Sequence, residues 1–193
     1  MQAATPPGNN DKTSWRSFLR GRLQGLDTIE AQSASIRRHL SAHLETLPDS
    51  RIASFAAMPG EPDLTPLVEA SRHQWHFPRI DGDHLHFHHV SRLGELEAGT
   101  YGIRTPRADL PEMVIEDIDL VLVPGLGFGR DGSRLGRGRG YYDRVLARLR
   151  PGVPRIGVAL IEQLVDRVPT ESHDIPMTHL LTADGMMRLG EQD

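Results

Sequence analysis

Apolar positions recur at two spacings along this chain, and the two spacings predict most of its elements. Trp15, Phe18, Leu19, Leu23 and Leu26 return at helical intervals, which predicts a helix from Thr13 to Leu26 with Thr13 or Ser14 as its cap. Gly21 and Gly25 weaken its second half. Ile29, Ile36, Leu40 and Leu44 form one stripe, so a second helix is predicted over Thr28 to Leu47, ended by Pro48. The run "RIASFAAM", Arg51 to Met58, reads as a buried strand that stops at the Pro59-Gly60 turn. Leu64 to His73 is helical in pattern. "HFPRI" and "HLHFHHV" read as strands around a turn at Asp81-Gly82. "DLVLVP", Asp119 to Pro124, is the clearest buried strand. Tyr141 to Leu149 follows as a helix with Val145, Leu146 and Leu149 inward. "RIGVALI" and a last strand, "HLLTAD", complete the set.

Strands apolar throughout, separated by helices, imply a parallel sheet covered on both faces. The predicted class is α/β, a single three-layer α/β/α domain with a mainly parallel sheet. No internal repeat and no second domain is apparent. Residues 1–12 read as a flexible polar tail and 13–193 as the domain. Ligands of such sheets bind beyond the carboxyl ends of the strands. The glycine-rich segment after "DLVLVP" falls there.

Composition narrows the chemistry. A chain of 193 residues carries one core, and 38% hydrophobic with 25% charged residues is a soluble globular balance. The absence of cysteine removes disulfides, thiolate nucleophiles and zinc-thiolate sites. A net charge of -4 and a pI near 6.2 count against a nucleic-acid coat. No apolar run approaches a membrane span, and the polar start "MQAATPPGNNDK" lacks a signal-peptide core. The expectation is a cytoplasmic protein with neither nucleic acid nor membrane as a partner.

The chemistry is concentrated in "GSRLGRGRGYYDR", Gly132 to Arg144. Seven glycines fall between Gly125 and Gly140. Glycines let backbone amides close on an anion, and Arg134, Arg137 and Arg139 supply forked donors to phosphate oxygens. A helix starting near Gly140 would turn its positive end to the same anion. A surface turn with solvated arginines remains the plain alternative. An RNA-binding arginine tract fits less well beside a buried strand and an apolar-faced helix. No Walker A loop is possible, because Lys12 is the only lysine. Gly127 to Gly132 matches G-x-G-x-x-G by chance, since no helix follows at once. The many glycines predict a segment that is mobile when empty.

"VPGLGFGRDGSRLGRGRGYYDR", Val123 to Arg144, resembles the signature of the 5-formyltetrahydrofolate cyclo-ligase family, also called methenyltetrahydrofolate synthetases. The resemblance extends along most of the chain. "KTSWRSFLR" is similar to the family's first helix, "SFAAMPGEPDLTPL" to its strand, turn and Glu segment, "TYGIRTP" to its aromatic segment, and "VPTESHDIPMTHLLT" to its close. It implies an architecture of the ribose-phosphate isomerase and CoA-transferase type. It also implies ATP- and Mg²⁺-dependent conversion of 5-formyltetrahydrofolate to 5,10-methenyltetrahydrofolate, with ADP and phosphate released through a phosphorylated formyl intermediate. The enzyme needs no nucleophile of its own for this; positioning and charge stabilisation suffice.

By this resemblance Lys12, Arg16 and the run Arg134, Leu135, Gly136, Arg137, Gly138, Arg139, Gly140, Tyr141 and Tyr142 would bind ATP. Arg137, Arg139 and Tyr142 would carry catalysis, the two arginines by neutralising the transferred phosphoryl group. Ala56, Met58, Glu61, Tyr101 and Tyr142 would line the folate site, Glu61 meeting the pterin's paired donor nitrogens. Asp143 and Asp174 would hold Mg²⁺. The implied partner is 5-formyltetrahydrofolate, with or without a polyglutamate tail, bound to a monomer or weak homodimer. Gly129 departs from the Asp that many family members carry after the Phe, and Arg139 stands where Gly or Lys is common. A non-catalytic folate- or RNA-binding relative, or a ligase for another small formyl or amide compound, are the alternatives of other classes.

Two further patterns carry less. His84, His86 and His88 would share one strand face and could bind zinc, but a hairpin with a polar outer face explains them as well. His39 and His43 are spaced for a solvated helix face. Glu112, Glu116, Asp117 and Asp119 read as a solvated approach to the central strand.

Overall fold

The protein is described here by a computed structural model, which describes residues 6–8, 11–99 and 102–190. Helix α1 spans Lys12–Leu23 and α2 spans Ile29–Glu45. Strands β1 (Arg51–Ala53), β2 (Gln74–Asp81), β3 (His84–Val90), β4 (Leu96–Ala98), β5 (Arg104–Pro106), β6 (Glu112–Met113) and β7 (Leu120–Val123) follow. The glycine-rich segment contributes β8 (Gly127–Gly129) and β9 (Arg134–Leu135) before α3 (Tyr141–Leu146). The chain closes with β10 (Arg155–Val158), β11 (Leu164–Val165), β12 (His179–Thr182) and β13 (Gly185–Arg188).

Eight strands form the main sheet in the order β13-β12-β10-β7-β1-β2-β3-β6. From β12 to β2 every pairing is parallel; β13, β3 and β6 add antiparallel edges. From β1 the chain runs outward to β2 on one side, and later from β7 to β10 and β12 on the other. The order therefore reverses between β1 and β7, which opens a crevice at their carboxyl ends. Side chains alternate along each strand, and the two faces build two cores. Ile36, Leu40 and Leu44 of α2 cover Ile52, Leu120, Leu122 and Ile156. Val145 and Leu146 of α3 cover Ala53, Val121, Val123 and Leu180 on the other face. This is the expected α/β/α layering, with few helices. No helix of the described residues is long and apolar enough to cross a membrane.

A second, three-stranded sheet, β11-β8-β9, holds the glycine-rich segment. Helix α1 packs on it through Trp15 and Leu19, against Leu126, Leu135 and Val168. A Cβ on Gly127 would lie 2.5 Å from a Leu19 methyl, so glycine there lets α1 seat closely.

Several boundaries differ from the pattern-based expectation, each for a local reason. Asp11 caps α1, accepting the amides of Thr13 and Ser14 at 3.1 and 2.8 Å, so the helix starts at Lys12. It stops at Leu23 because Gln24 is extended and Gly25 is left-handed. Leu64–His73 is no α-helix. Only a 3-10 turn forms at Thr65–Leu67, with Asp63 accepting from the Thr65 amide and Pro66 unable to donate. Leu64, Leu67 and Val68 are nevertheless buried, which is why the pattern looked helical. α3 is six residues long, not nine. "HLLTAD" is not the last strand: the chain turns and β13 pairs back along β12. The histidine hairpin forms as expected, with His86 bonded to Glu112 at 2.7 Å and His88 to the Leu110 carbonyl at 2.8 Å. His39 is half-buried and bonds the Ala183 carbonyl at 3.2 Å, so that helix face is covered by the β12–β13 turn. Asp119 is held by Arg51 and Arg150, in keeping with a structural role.

His76 on β2 is 4% exposed and faces His89 across the hairpin. Burial, then the neighbouring His89, pushes its pKa from 6.5 down to about 4. The unfolded chain therefore takes up this proton first. Its contribution to stability is complete above pH 6.5 and is lost as pH falls toward 4. We expect urea unfolding to show a loss of about 3 kcal/mol from this group across that window. His76→Phe should lose correspondingly less than the wild type between pH 7 and 4; equal losses would reject the assignment.

Candidate functional site

A cavity of about 1170 Å³ opens at the crevice between β1 and β7. The turn after β1 supplies Phe55, Ala56, Met58 and Glu61 to one wall. The segment after β7, Pro124 to Asp143, supplies the other, and α1 closes the end with Lys12, Arg16 and Arg20. Lys12, Arg16, Ala56, Met58, Glu61, Arg134, Leu135, Gly136, Arg137, Gly138, Arg139, Gly140, Tyr141, Tyr142, Asp143 and Asp174 all line this one cavity. Tyr101 lies outside the described residues.

The glycine-rich segment divides in two. Residues 125–129 and 132–135 are buried and paired in the small sheet, so packing offsets the ordering entropy of four of the seven glycines. Gly136 to Gly140 rises from that base across the cavity, with Gly138 and Gly140 in left-handed conformations (φ 107° and 66°). Arg16 reaches over from α1 and donates to the Gly136 carbonyl at 3.1 Å. Lys12 and Arg16 thus sit one helical turn apart at the same wall. Because α3 is so short, its dipole adds little to any anion site there.

Charges in the cavity are paired. Lys12 Nζ lies 2.7 Å from Asp174 Oδ2 and 3.1 Å from Glu171 Oε2. Burial alone would raise the Asp174 carboxyl, but Lys12 and the Glu171 amide outweigh it and hold it below its ordinary value. Arg134, its side chain 6% exposed, turns inward to Asp143 and the Pro124 carbonyl, with its guanidinium 5.9 Å from the centre of the Tyr142 ring. Arg137 donates through Nε and Nη2 to Glu61 Oε1 at 3.0 and 2.8 Å. Glu61 Oε2 accepts from the Met58 amide at 3.0 Å. Burial pushes the Glu61 carboxyl up, while Arg137 and that amide pull against it. The Tyr142 hydroxyl is buried at the cavity with no hydrogen-bond partner among the described residues, and burial and Glu61 push its pKa up. It is a donor waiting for an acceptor. Tyr141 also lines the cavity, and its hydroxyl donates to the Gly82 carbonyl at 3.4 Å. The Leu135 side chain is core, so only its backbone faces the cavity.

Asp174 has two neighbours of metal-ligating type that the family signature does not single out. Glu171, His173 and Asp174 bring ligand atoms within 4.8 Å of one another, the one such group among the described residues. The signal was the close spacing in "TESHD". The carboxylates of Glu171 and Asp174, with Asp143 on the same cavity, are oxygen donors that suit a small hard cation completing its shell with phosphate oxygens and water, whereas His173 offers a softer nitrogen.

Gly129 has a specific neighbour. A Cβ there would lie 2.3 Å from Asp131 Oδ1 and 2.2 Å from Ser133 Oγ. Asp131 accepts from the Ser133 amide and hydroxyl at 3.0 and 2.6 Å and pairs with Arg167 at 3.3 Å. Ser133 Oγ in turn accepts from the Val168 amide at 3.0 Å. The Ser133 hydroxyl and the Asp131 carboxylate together fill the space that a side chain at 129 would need.

Residues 9–183 match the model of the 5-formyltetrahydrofolate cyclo-ligase family. The chain is 44% identical over 92 residues to the 5-formyltetrahydrofolate cyclo-ligase of Mycolicibacterium smegmatis, a match that spans 47% of each chain. It is 29% identical over 195 residues to that of Mus musculus, covering 91% of this chain and 95% of the mouse one. The solution structure of a 5,10-methenyltetrahydrofolate synthetase from Aquifex aeolicus superposes with a TM-score of 0.79 at 29% identity, covering 94% of each chain.

Gly129→Asp alone should cost about 1–3 kcal/mol by overfilling this corner. The double variant Gly129→Asp/Asp131→Gly should recover part of the loss in thermal unfolding, because the Ser133 hydroxyl still occupies the nearer contact. Additive losses would show that the two positions do not share the space.

Proposed function

The chain belongs to the 5-formyltetrahydrofolate cyclo-ligase family, and on that premise we propose that it closes 5-formyltetrahydrofolate to 5,10-methenyltetrahydrofolate at the expense of ATP. The formyl oxygen attacks the terminal phosphorus and ADP leaves. The neighbouring folate nitrogen then attacks the activated formyl carbon, phosphate departs with the oxygen, and the nitrogen's proton passes to solvent. The observation that carries this reading is the convergence of the strand-turn Glu61, the α1 cations and the signature loop on one cavity at the switch point.

In this reading Lys12 and Arg16 bind the phosphates from α1, and Gly136 to Gly140 present their amides to them. Arg137 and Arg139 offset the charge that builds on the transferred phosphoryl group. Glu61 accepts from the pterin, with Ala56 and Met58 packed beside it. Tyr142, between Arg134 and Glu61, supplies its unpartnered hydroxyl to an acceptor where the two ligands meet. Asp143 and Asp174 would hold Mg²⁺, which supplies charge neutralisation to the phosphates when bound. Arg134 keeps Asp143 oriented. Tyr101 is assigned to the folate by family likeness alone. The same reading makes residues 13–193, together with Lys12 at the start of α1, the catalytic domain, acting in the cytoplasm as a monomer or weak homodimer.

The test is the appearance of methenyltetrahydrofolate absorbance with 5-formyltetrahydrofolate and Mg²⁺, with and without ATP. ATP-dependent product is expected; none would reject the reaction. Arg137→Ala should lower kcat by about 10²–10³-fold with its circular dichroism unchanged. Undiminished turnover would remove Arg137 from the phosphate clamp.

A further inference from the structure

Two residues that the proposed reaction assigns to different ligands are bonded to each other. Glu61 faces the folate and Arg137 the phosphates, yet both guanidinium contacts of Arg137 fall on Glu61 Oε1. The two side chains are unequally free. Glu61 is 4% exposed and is tied through its other oxygen and its own amide to Met58. Arg137 is 32% exposed and sits between Gly136 and Gly138, where the backbone can turn. Opening the pair therefore means that Arg137 swings away while Glu61 stays.

We propose that the Arg137–Glu61 ion pair couples the nucleotide and folate subsites, so that each ligand's binding prepares the site for the other. The inference rests on the reaction proposed above. A pterin whose paired N–H groups take Glu61 releases Arg137 for an anion. A phosphate that captures Arg137 leaves Glu61 a buried carboxylate in need of donors. Separating a buried pair leaves a charge uncompensated, so the first ligand bears that cost and the second does not. By linkage the two ligands must then tighten each other by the same factor. The other paired cations do not have this property. Lys12 is bound to Asp174 and Arg134 to Asp143, and all four lie on the phosphate and metal side. Only Arg137, among these three, bridges the two subsites. Without folate the pair also keeps Arg137 off the terminal phosphate, which holds back ATP hydrolysis that would make no product.

Calorimetry with Mg²⁺ and the β,γ-imido analogue of ATP tests this, with and without saturating 5-formyltetrahydrofolate. In the wild type, folate should tighten the analogue by about tenfold, and the analogue should tighten folate equally. Glu61→Gln keeps the side chain's shape and removes its charge. It should tighten the analogue several-fold with no folate present, and raise folate-free ATP hydrolysis. A variant that had merely lost folate binding would show neither change. Nucleotide affinity unchanged or weakened in Glu61→Gln overturns the inference, as does wild-type affinity indifferent to folate. The wild-type comparison needs no variant, so the inference is open to refutation even if Glu61→Gln fails to fold. Product formation without coupling overturns this inference alone, whereas absence of product and of binding overturns the reaction beneath it.

Discussion

The site depends on one steric constraint, the seat of Phe128. Its ring lies against Gly157 of β10 and Gly125 at the end of β7, where a Cβ would come within 2.7 and 2.8 Å of ring atoms. Any side chain at either position would expel the ring. With both absent, the completely buried Phe128 pins β8 to the main sheet over β10 and the turn just past β7. β9 pairs with β8, so the arms of the glycine-rich segment start from a fixed base. α1 is located by the same small sheet through Leu19 and Gly127. Lys12 and Arg16 on one wall, and Arg137 and Arg139 on the other, are therefore positioned by apolar packing some distance from any chemistry.

That packing brings many cations to one crevice, and pairing them is the second requirement. A buried guanidinium without a partner is costly, and the chain answers with carboxylates that the same reaction would use: Asp143 on Arg134, Asp174 on Lys12, Glu61 on Arg137. The cavity is in this sense self-liganded. In the proposed reaction an anionic nucleotide with its cation would exchange internal pairs for external ones, and polar groups already fixed by the fold would need little reorganisation. The Tyr142 hydroxyl is the exception, buried with no hydrogen-bond partner among the described residues.

Much of this was legible in the linear pattern. The β7 and β10 strands, the β2–β3 hairpin and both long helices were visible as runs and stripes, because burial on two faces, one face or one stripe each leaves a distinct period. The signature loop was legible as chemistry through its density of glycine and arginine. Less visible were β8, β9, β11 and β13, each two to four residues long and too short for a period to register. The segment 64–73 misled because one buried turn at Leu64, Leu67 and Val68 mimics the start of a helix.

The sequence by itself determined the α/β class, the glycine-arginine loop after a central strand and the set of residues from which the proposed phosphoryl chemistry is drawn. These are properties of local spacing and side-chain type, and they survive without knowing what touches what. Only the tertiary structure decided how those residues are spent. It turned Arg134 inward to Asp143, set Arg137 on Glu61, filled the corner beside Gly129 with Asp131 and placed Glu171 and His173 next to Asp174. Each of these joins residues by contact, one of them across 76 positions of chain and the others within a loop or turn whose direction no period records. Contact of that kind is set by how the two sheets and α1 pack, and so it appears only once the chain has folded.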